Sequence, residues 1–350
     1  MTQSTPSTAG SVPTVAQHFE GSVTAGYLRP ARIVAAIIAC GILFLVVGRW
    51  FIPGPQVDGT QALAFGPAGS LSAEGATLLA MAAAVGLGWL ITWPDAPHTG
   101  TFCACAGLLA LAVHWGGLNL LLVDRYSNLP AVYADLSMQC FFWIIFIALA
   151  EGISYGLYRF STRRWPLVLG LPWPIGDSLP DGSARYPLFS TPVYPVRENT
   201  PNSRLRAVLD QLTGLFASMV VASIGLALLM KSANPGQVIF ACFVAFFLSG
   251  VTVGLFLPKT AALVLWFSVP LTAAIGYLLA GHGVPALPGQ VPEFTRGGIA
   301  IFWGRAEPIF YIGAGLPGMI AGFYAALRGN FRQKMEAEAA ERNVAPGRTR

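Results

Sequence analysis

Apolar residues fall along this chain in eight runs, at 31–50, 76–93, 102–123, 136–158, 208–230, 237–257, 261–281 and 309–327, separated by polar, Gly-rich or Pro-rich stretches. Each run is close to the ~20 residues that a helix rising 1.5 Å per residue needs to cross ~30 Å of hydrocarbon. The pattern predicts an all-α, polytopic membrane bundle of about eight transmembrane helices. Pro270 and Pro317 interrupt the seventh and eighth runs, where neighbouring helices tolerate the kink a proline imposes.

Cut at its polar stretches, the chain reads as five parts. Residues 1–28 form a Ser, Thr, Gly and Pro-rich tail without an apolar core, expected to be disordered. Residues 29–158 make a four-helix membrane half, 159–207 a Pro/aromatic-rich segment or arm, 208–327 a second four-helix half, and 328–350 a charged tail. Two further polar excursions, 51–75 and 282–308, lie between runs. The arm carries eight prolines, which rule out a long helix. Its regular aromatics (Trp165, Trp173, Tyr186, Phe189 and Tyr194) argue against plain disorder. Loop lengths in the two halves do not correspond, so the internal repeat common among secondary transporters is absent.

Composition agrees with a bilayer as the solvent. Charged residues make up 11% of the chain, hydrophobic residues 54%, and the mean hydropathy is +0.60. A soluble domain carries roughly a quarter charged residues. The net charge of +5 does not point to nucleic acid, because the cations sit between apolar runs rather than on one soluble face. Their distribution sets an orientation instead. With the N-terminus inside, sixteen of the 21 Lys and Arg fall on the inner side; only Arg49, Arg125, Lys231, Arg296 and Arg305 fall outside. The expectation is a multi-pass protein of the inner (plasma) membrane with both termini and the arm cytoplasmic.

The lipid bilayer is then the first partner. The arm is the place for a second: seven Arg against Asp177, Asp181 and Glu198 suit anionic headgroups or an acidic protein surface. A solvent loop whose arginines merely fix topology is the plainer alternative.

An ionisable group in hydrocarbon costs at least ~2.5 kcal/mol, so each one needs a reason. Glu151 in the fourth run is the sharpest case, with Tyr155 and Tyr158 at i+4 and i+7 on the same face. A carboxylate with two phenolic neighbours is a candidate proton or cation site; a structural carboxylate held by a Tyr hydroxyl or by Arg159 is the competing reading. His114 in the third run lies on a stripe with Gly107, Ala110 and Gly117, which lets another helix come close. Midpoint counting puts it roughly 9 Å in depth from Glu151. Asp210, near the start of the fifth run, is less central. Three glycine pairs, Gly152/Gly156, Gly250/Gly254 and Gly318/Gly322, allow close helix approach within the bundle or between copies.

Other chemistry finds little support. No HExxH, GxSxG, P-loop or GxGxxG occurs, and His114 has no evident serine partner, so no catalytic residue is assigned and no cofactor expected. Cys103 and Cys105 are two residues apart on a helix and point to opposite sides; all five cysteines read as small core residues, with no metal site. Three functional classes follow. A permease-like protein handling a small solute or protons stands nearly level with a non-catalytic scaffold that docks a partner through 159–207, and an intramembrane enzyme comes last.

Overall fold

Proline sets where many of the helices begin. Its fixed φ suits the first turn, and the N–H it lacks would be unpaired there in any case. In the computed structural model, helices start on Pro201, Pro235 and Pro308, and Pro130 is the second residue of another. The structure describes residues 22–51, 71–93, 99–115, 129–164, 201–231, 234–258, 260, 262–283, 304 and 306–327. Over these residues the protein is all helical, with no strand. We number the helices α1 (Ser22–Phe51), α2 (Leu71–Thr92), α3 (Thr99–Trp115), α4 (Leu129–Arg164), α5 (Pro201–Leu229), α6 (Pro235–Phe256), α7 (Ala262–Gly283) and α8 (Pro308–Leu327).

Six of these, α1 and α4 to α8, are long and apolar enough to cross a membrane. The apolar parts of α2 and α3, Thr77–Thr92 and Thr99–Ala112, are shorter than a span. Residues 116–123, which the sequence pattern adds to the third run, lie outside the described residues, as do 1–21, the excursions 52–70 and 284–303, and 328–350. Two boundaries differ from expectation. α1 starts at Ser22, inside the stretch expected to be disordered, because once an apolar helix is nucleated each added residue gains a backbone hydrogen bond. Similarly, α4 runs on to Arg164 and α5 begins at Pro201, so the arm expected over 159–207 is helical at both ends; 165–200 lie outside the described residues.

Consecutive helices run antiparallel. We call the end where α1 begins the N-terminal end and the opposite one the far end. At the N-terminal end Arg32 of α1 donates to the Trp93 carbonyl just after α2 (3.3 Å). Deeper in, the Cys40 thiol meets the Ala84 carbonyl (3.3 Å). Gly107 and Ala110 of α3 lie on α1: a Cβ added at Gly107 would stand 2.5 Å from that of Cys40. Gly107 and Ala110, the first two residues of the small-residue stripe read from the sequence, thus lie in the α1–α3 contact; Gly117 and the His114 side chain lie outside the described residues. Helices α1 to α3 form one cluster, α4 packs along α7, and α5 packs along α6.

Helix α8 ties these groups together. It touches α3, α4, α6 and α7, and 83% of its span residues are buried, against 22% in α1 and in α5. Against α6 the approach is backbone to backbone. Cβ atoms added at Gly250 and Gly254 would stand 2.8 Å from the Phe323 nitrogen and 2.7 Å from the Ala326 Cβ. Those added at Gly318 and Gly322 would collide with the Phe243 and Phe247 carbonyl oxygens. Two of the three glycine pairs are therefore consumed inside the bundle, whereas Gly152 and Gly156 have no described atom within 4 Å of such a Cβ.

The prolines inside α7 and α8 are each accommodated locally. Residues Tyr311–Gly315 form a π turn, with the Leu316 N–H bonded to the Tyr311 carbonyl, directly ahead of Pro317. A widened turn there accommodates a ring that would otherwise strike the carbonyl four residues back. In α7, Ser268 and Thr272 bond the Leu265 and Ser268 carbonyls at 2.7 Å on either side of Pro270. Large apolar side chains such as Ile38, Phe216, Leu228, Phe240 and Phe256 point away from the bundle, on the surface that hydrocarbon covers.

Candidate functional site

The sequence of α4 places a carboxylate among apolar residues, and the bundle closes over it. Glu151 is 1% exposed, lies inside the span Pro130–Ser154, and sits three residues from its N-terminal-end limit. Neither carboxylate oxygen makes a hydrogen bond to any described residue. The groups turned toward it come from α3: the Thr101 hydroxyl lies where it can hydrogen-bond the carboxyl, short of full hydrogen-bond geometry, and the Cys105 thiol interacts with it electrostatically. Thr101 and, three residues on from Glu151, Ser154 are buried with their hydroxyls equally without a hydrogen bond among the described residues. An isolated ionised carboxylate in a low-dielectric interior is very costly, so such a group holds a proton or a cation. Thr101 suits either state: its hydroxyl donates to a carboxylate and accepts from a carboxylic acid.

The other residues singled out from the sequence fall as follows. The backbones of Tyr155 and Tyr158 continue α4 past Glu151, and their side chains lie outside the described residues, as does that of Arg159. The same holds for the side chain of His114 on α3. Thirteen residues of α3 separate His114 from Thr101, about 20 Å of helix axis, more than twice the depth difference given by midpoint counting. Asp210 is half-buried near the start of the α5 span. All five cysteines are buried and none forms a disulfide. Cys103 and Cys105 do face opposite ways, Cys103 toward Ile33 of α1 (3.9 Å to its carbonyl) and Cys105 toward Glu151 of α4. Among the described residues no group of three His, Cys, Asp or Glu could hold a metal.

A second carboxyl is buried in a segment that hydropathy does not mark as apolar. Glu307, 2% exposed, is the N-cap of α8, in a segment the pattern assigns to a polar excursion. Pro308 directly after it is the signal that would have found it, because a proline that opens a helix puts the preceding residue at the cap.

Compared with known proteins, the chain matches no family model, no curated sequence and no solved structure. What the fold and site define is therefore a class: an all-helical, multi-pass membrane protein with a carboxyl group buried within one span.

Proposed function

We propose that the protein is a permease-like carrier of protons, or of a small solute coupled to them, and that Glu151 is the group that loads and releases the proton. The observation that carries this is a carboxyl group buried inside a span, with neither oxygen hydrogen-bonded to a described residue. A purely structural carboxylate earns its place through such bonds. Thr101 supplies a hydroxyl beside it, Ser154 carries another three residues on in α4, and the π turn of α8 is a feature frequent at functional sites. In this reading α2 and α3 also cross, giving eight spans. Both termini are cytoplasmic in the plasma membrane, on the sixteen-to-five division of Lys and Arg.

The competing reading, a scaffold that docks a partner through 159–207, draws on the way α4 continues past its span with Arg159, Arg163 and Arg164. The test is proton flux into vesicles reconstituted with the purified chain and a trapped pH-sensitive dye. Glu151→Gln, isosteric and uncharged, should abolish flux while leaving the melting temperature within a few degrees. Retained flux with a lowered melting temperature would make Glu151 structural. A chain that purifies only with a partner, released by salt, would favour the scaffold.

A further inference from the structure

Hydroxyls within the helices of this bundle mostly satisfy themselves. Thr92, Thr213, Thr252 and Thr272 each bond the carbonyl four residues back in their own helix, and Ser218 and Ser268 the one three back. Such back-bonding is the ordinary outlet for a Ser or Thr inside a helix. Ser154 of α4 has the Ala150 carbonyl available and leaves it, and Thr101 of α3 likewise makes no hydrogen bond among the described residues. Both side chains are fully buried. Thr101 faces the Glu151 carboxyl from α3. Ser154 lies one turn on from Glu151, and residues three apart are neighbours on a helix surface, with Cβ atoms about 5–6 Å apart. Buried oxygens of three side chains, those of Glu151, Thr101 and Ser154, thus stand at the junction of α3 and α4 with lone pairs to spare.

The three side chains do not close on one another, as direct hydrogen bonds would make them do. One carboxylate and two hydroxyls, oxygen throughout, are the donor set of a hard cation. No described Lys or Arg pairs with Glu151, so its single negative charge balances one positive charge and no more; a divalent ion would leave a net charge in hydrocarbon. Space is scarce as well. An added Cβ at Gly100, next to Thr101, would lie 2.7 Å from the Val85 carbonyl oxygen of α2, which favours a small ion.

The other ionisable groups stand off. Cys105 faces Glu151 from α3, with Cys103 of α3 and Cys40 of α1 beyond it. Tyr133 and Asp135 of α4 itself, Glu74 of α2, Tyr277 and His282 of α7 and Tyr311 of α8 belong to the far-end half of the bundle, and Tyr324 of α8 to the N-terminal half. The side chains of Tyr155, Tyr158 and Arg159 lie outside the described residues.

We infer that the Glu151 site binds a sodium ion in exchange for its proton, with Thr101 and Ser154 as hydroxyl ligands. The inference rests on the proton-carrier reading above and names the coupled solute. Loading breaks the Glu151 O–H bond, passes the proton to water and pairs the carboxylate with the ion, so the site is neutral in both states. Ser154 ends the span, which sets the ion's entry at the N-terminal end.

The test adds sodium chloride to the full-length protein in detergent, sodium-free and lightly buffered, and reads proton release with a pH dye. Wild type should release one proton per sodium bound, and sodium affinity should weaken as the pH falls, because protons compete for the carboxylate. Lithium should substitute, whereas potassium and choline should not. Glu151→Gln should abolish release. Thr101→Val and Ser154→Ala should each weaken sodium roughly tenfold or more, and Thr101→Ser should keep it near wild type. Glu151-dependent proton flux into vesicles with no release on sodium overturns the inference and leaves the carrier reading standing. Release that survives in Glu151→Gln, or that potassium elicits equally, overturns it too, as does unchanged sodium affinity in either hydroxyl variant. If Thr101→Val does not fold, Ser154→Ala, which removes a single oxygen, decides. Sodium-driven release without proton flux in vesicles instead removes the carrier and leaves the exchange site standing.

Discussion

Replacing Gly322 by Ala tests the packing on which every depth above depends. The added Cβ would lie 2.9 Å from the Phe247 carbonyl carbon and 3.0 Å from the Val251 nitrogen, and closer still to the Phe247 oxygen. Non-bonded carbons sit best at ~3.5–4.0 Å, so α6 and α8 must separate by roughly 0.5–1 Å. A gap of that size forfeits a quarter to a half of the dispersion well at each contact along the seam. Overpacking of this kind costs about 1–3 kcal/mol, and the upper end applies because the obstacle is backbone, which cannot rotate aside. Alanine's better helix propensity returns at most ~1 kcal/mol, leaving a net loss of about 2 kcal/mol. Gly152→Ala is the control. It meets no described atom within 4 Å, so it should be neutral or stabilising by up to ~1 kcal/mol. The two variants should differ by about 2–3 kcal/mol, roughly 30- to 150-fold in the unfolding equilibrium. Because one separation relieves both clashes, Gly318→Ala combined with Gly322→Ala should cost less than the sum of the singles. Reversible unfolding in mixed SDS and mild-detergent micelles measures all four. A Gly322→Ala value within 0.5 kcal/mol of Gly152→Ala, or strict additivity of the pair, would refute the α6–α8 seam.

Two further outcomes are expected. Ser249→Ala removes the buried 2.7 Å hydrogen bond from α6 to the Ser218 carbonyl of α5 and should lower stability by about 0.6 kcal/mol, at most ~1.7. Ser218→Ala, whose hydroxyl bonds the Leu215 carbonyl in its own helix, should cost less, and the reverse order in thermal melts would sink the assignment. Reporter fusions near residues 15, 185 and 345 should read cytoplasmic and those near 65 and 295 external, whereas an external signal at 185 would overturn the orientation.

The apolar runs were legible because side-chain solvation is a local property, and a lone charge within one, Glu151, was legible for the same reason. Its surroundings were not. Thr101 is uncharged and borders its run, and nothing local encodes which face of α3 meets α4. The depth difference of roughly 9 Å between His114 and Glu151 depends on the run centres. The fourth apolar run begins at 136, yet its span begins at Pro130, since Asp135 and Gln139 do not stop a helix. The third run extends to 123, whereas its described apolar helix is Thr99–Ala112. Both centres move earlier in the chain, and in antiparallel helices that carries His114 and Glu151 in opposite directions.

Helix α8 makes the same point from the other side. Judged by hydropathy it is the weakest of the six spans, rich in glycine and broken by Pro317, yet it is the most buried. Hydropathy measures fitness to face lipid, and a helix enclosed by protein has no such requirement. What it requires is small residues, because its neighbours approach with their backbones: the Phe243 and Phe247 carbonyls of α6 lie where the side chains of Gly318 and Gly322 would begin. Low hydropathy and central position are therefore one constraint. The helix that can least afford to meet lipid is the one whose glycines let α6 close over it, and Glu307 is buried because it caps that helix rather than a peripheral one.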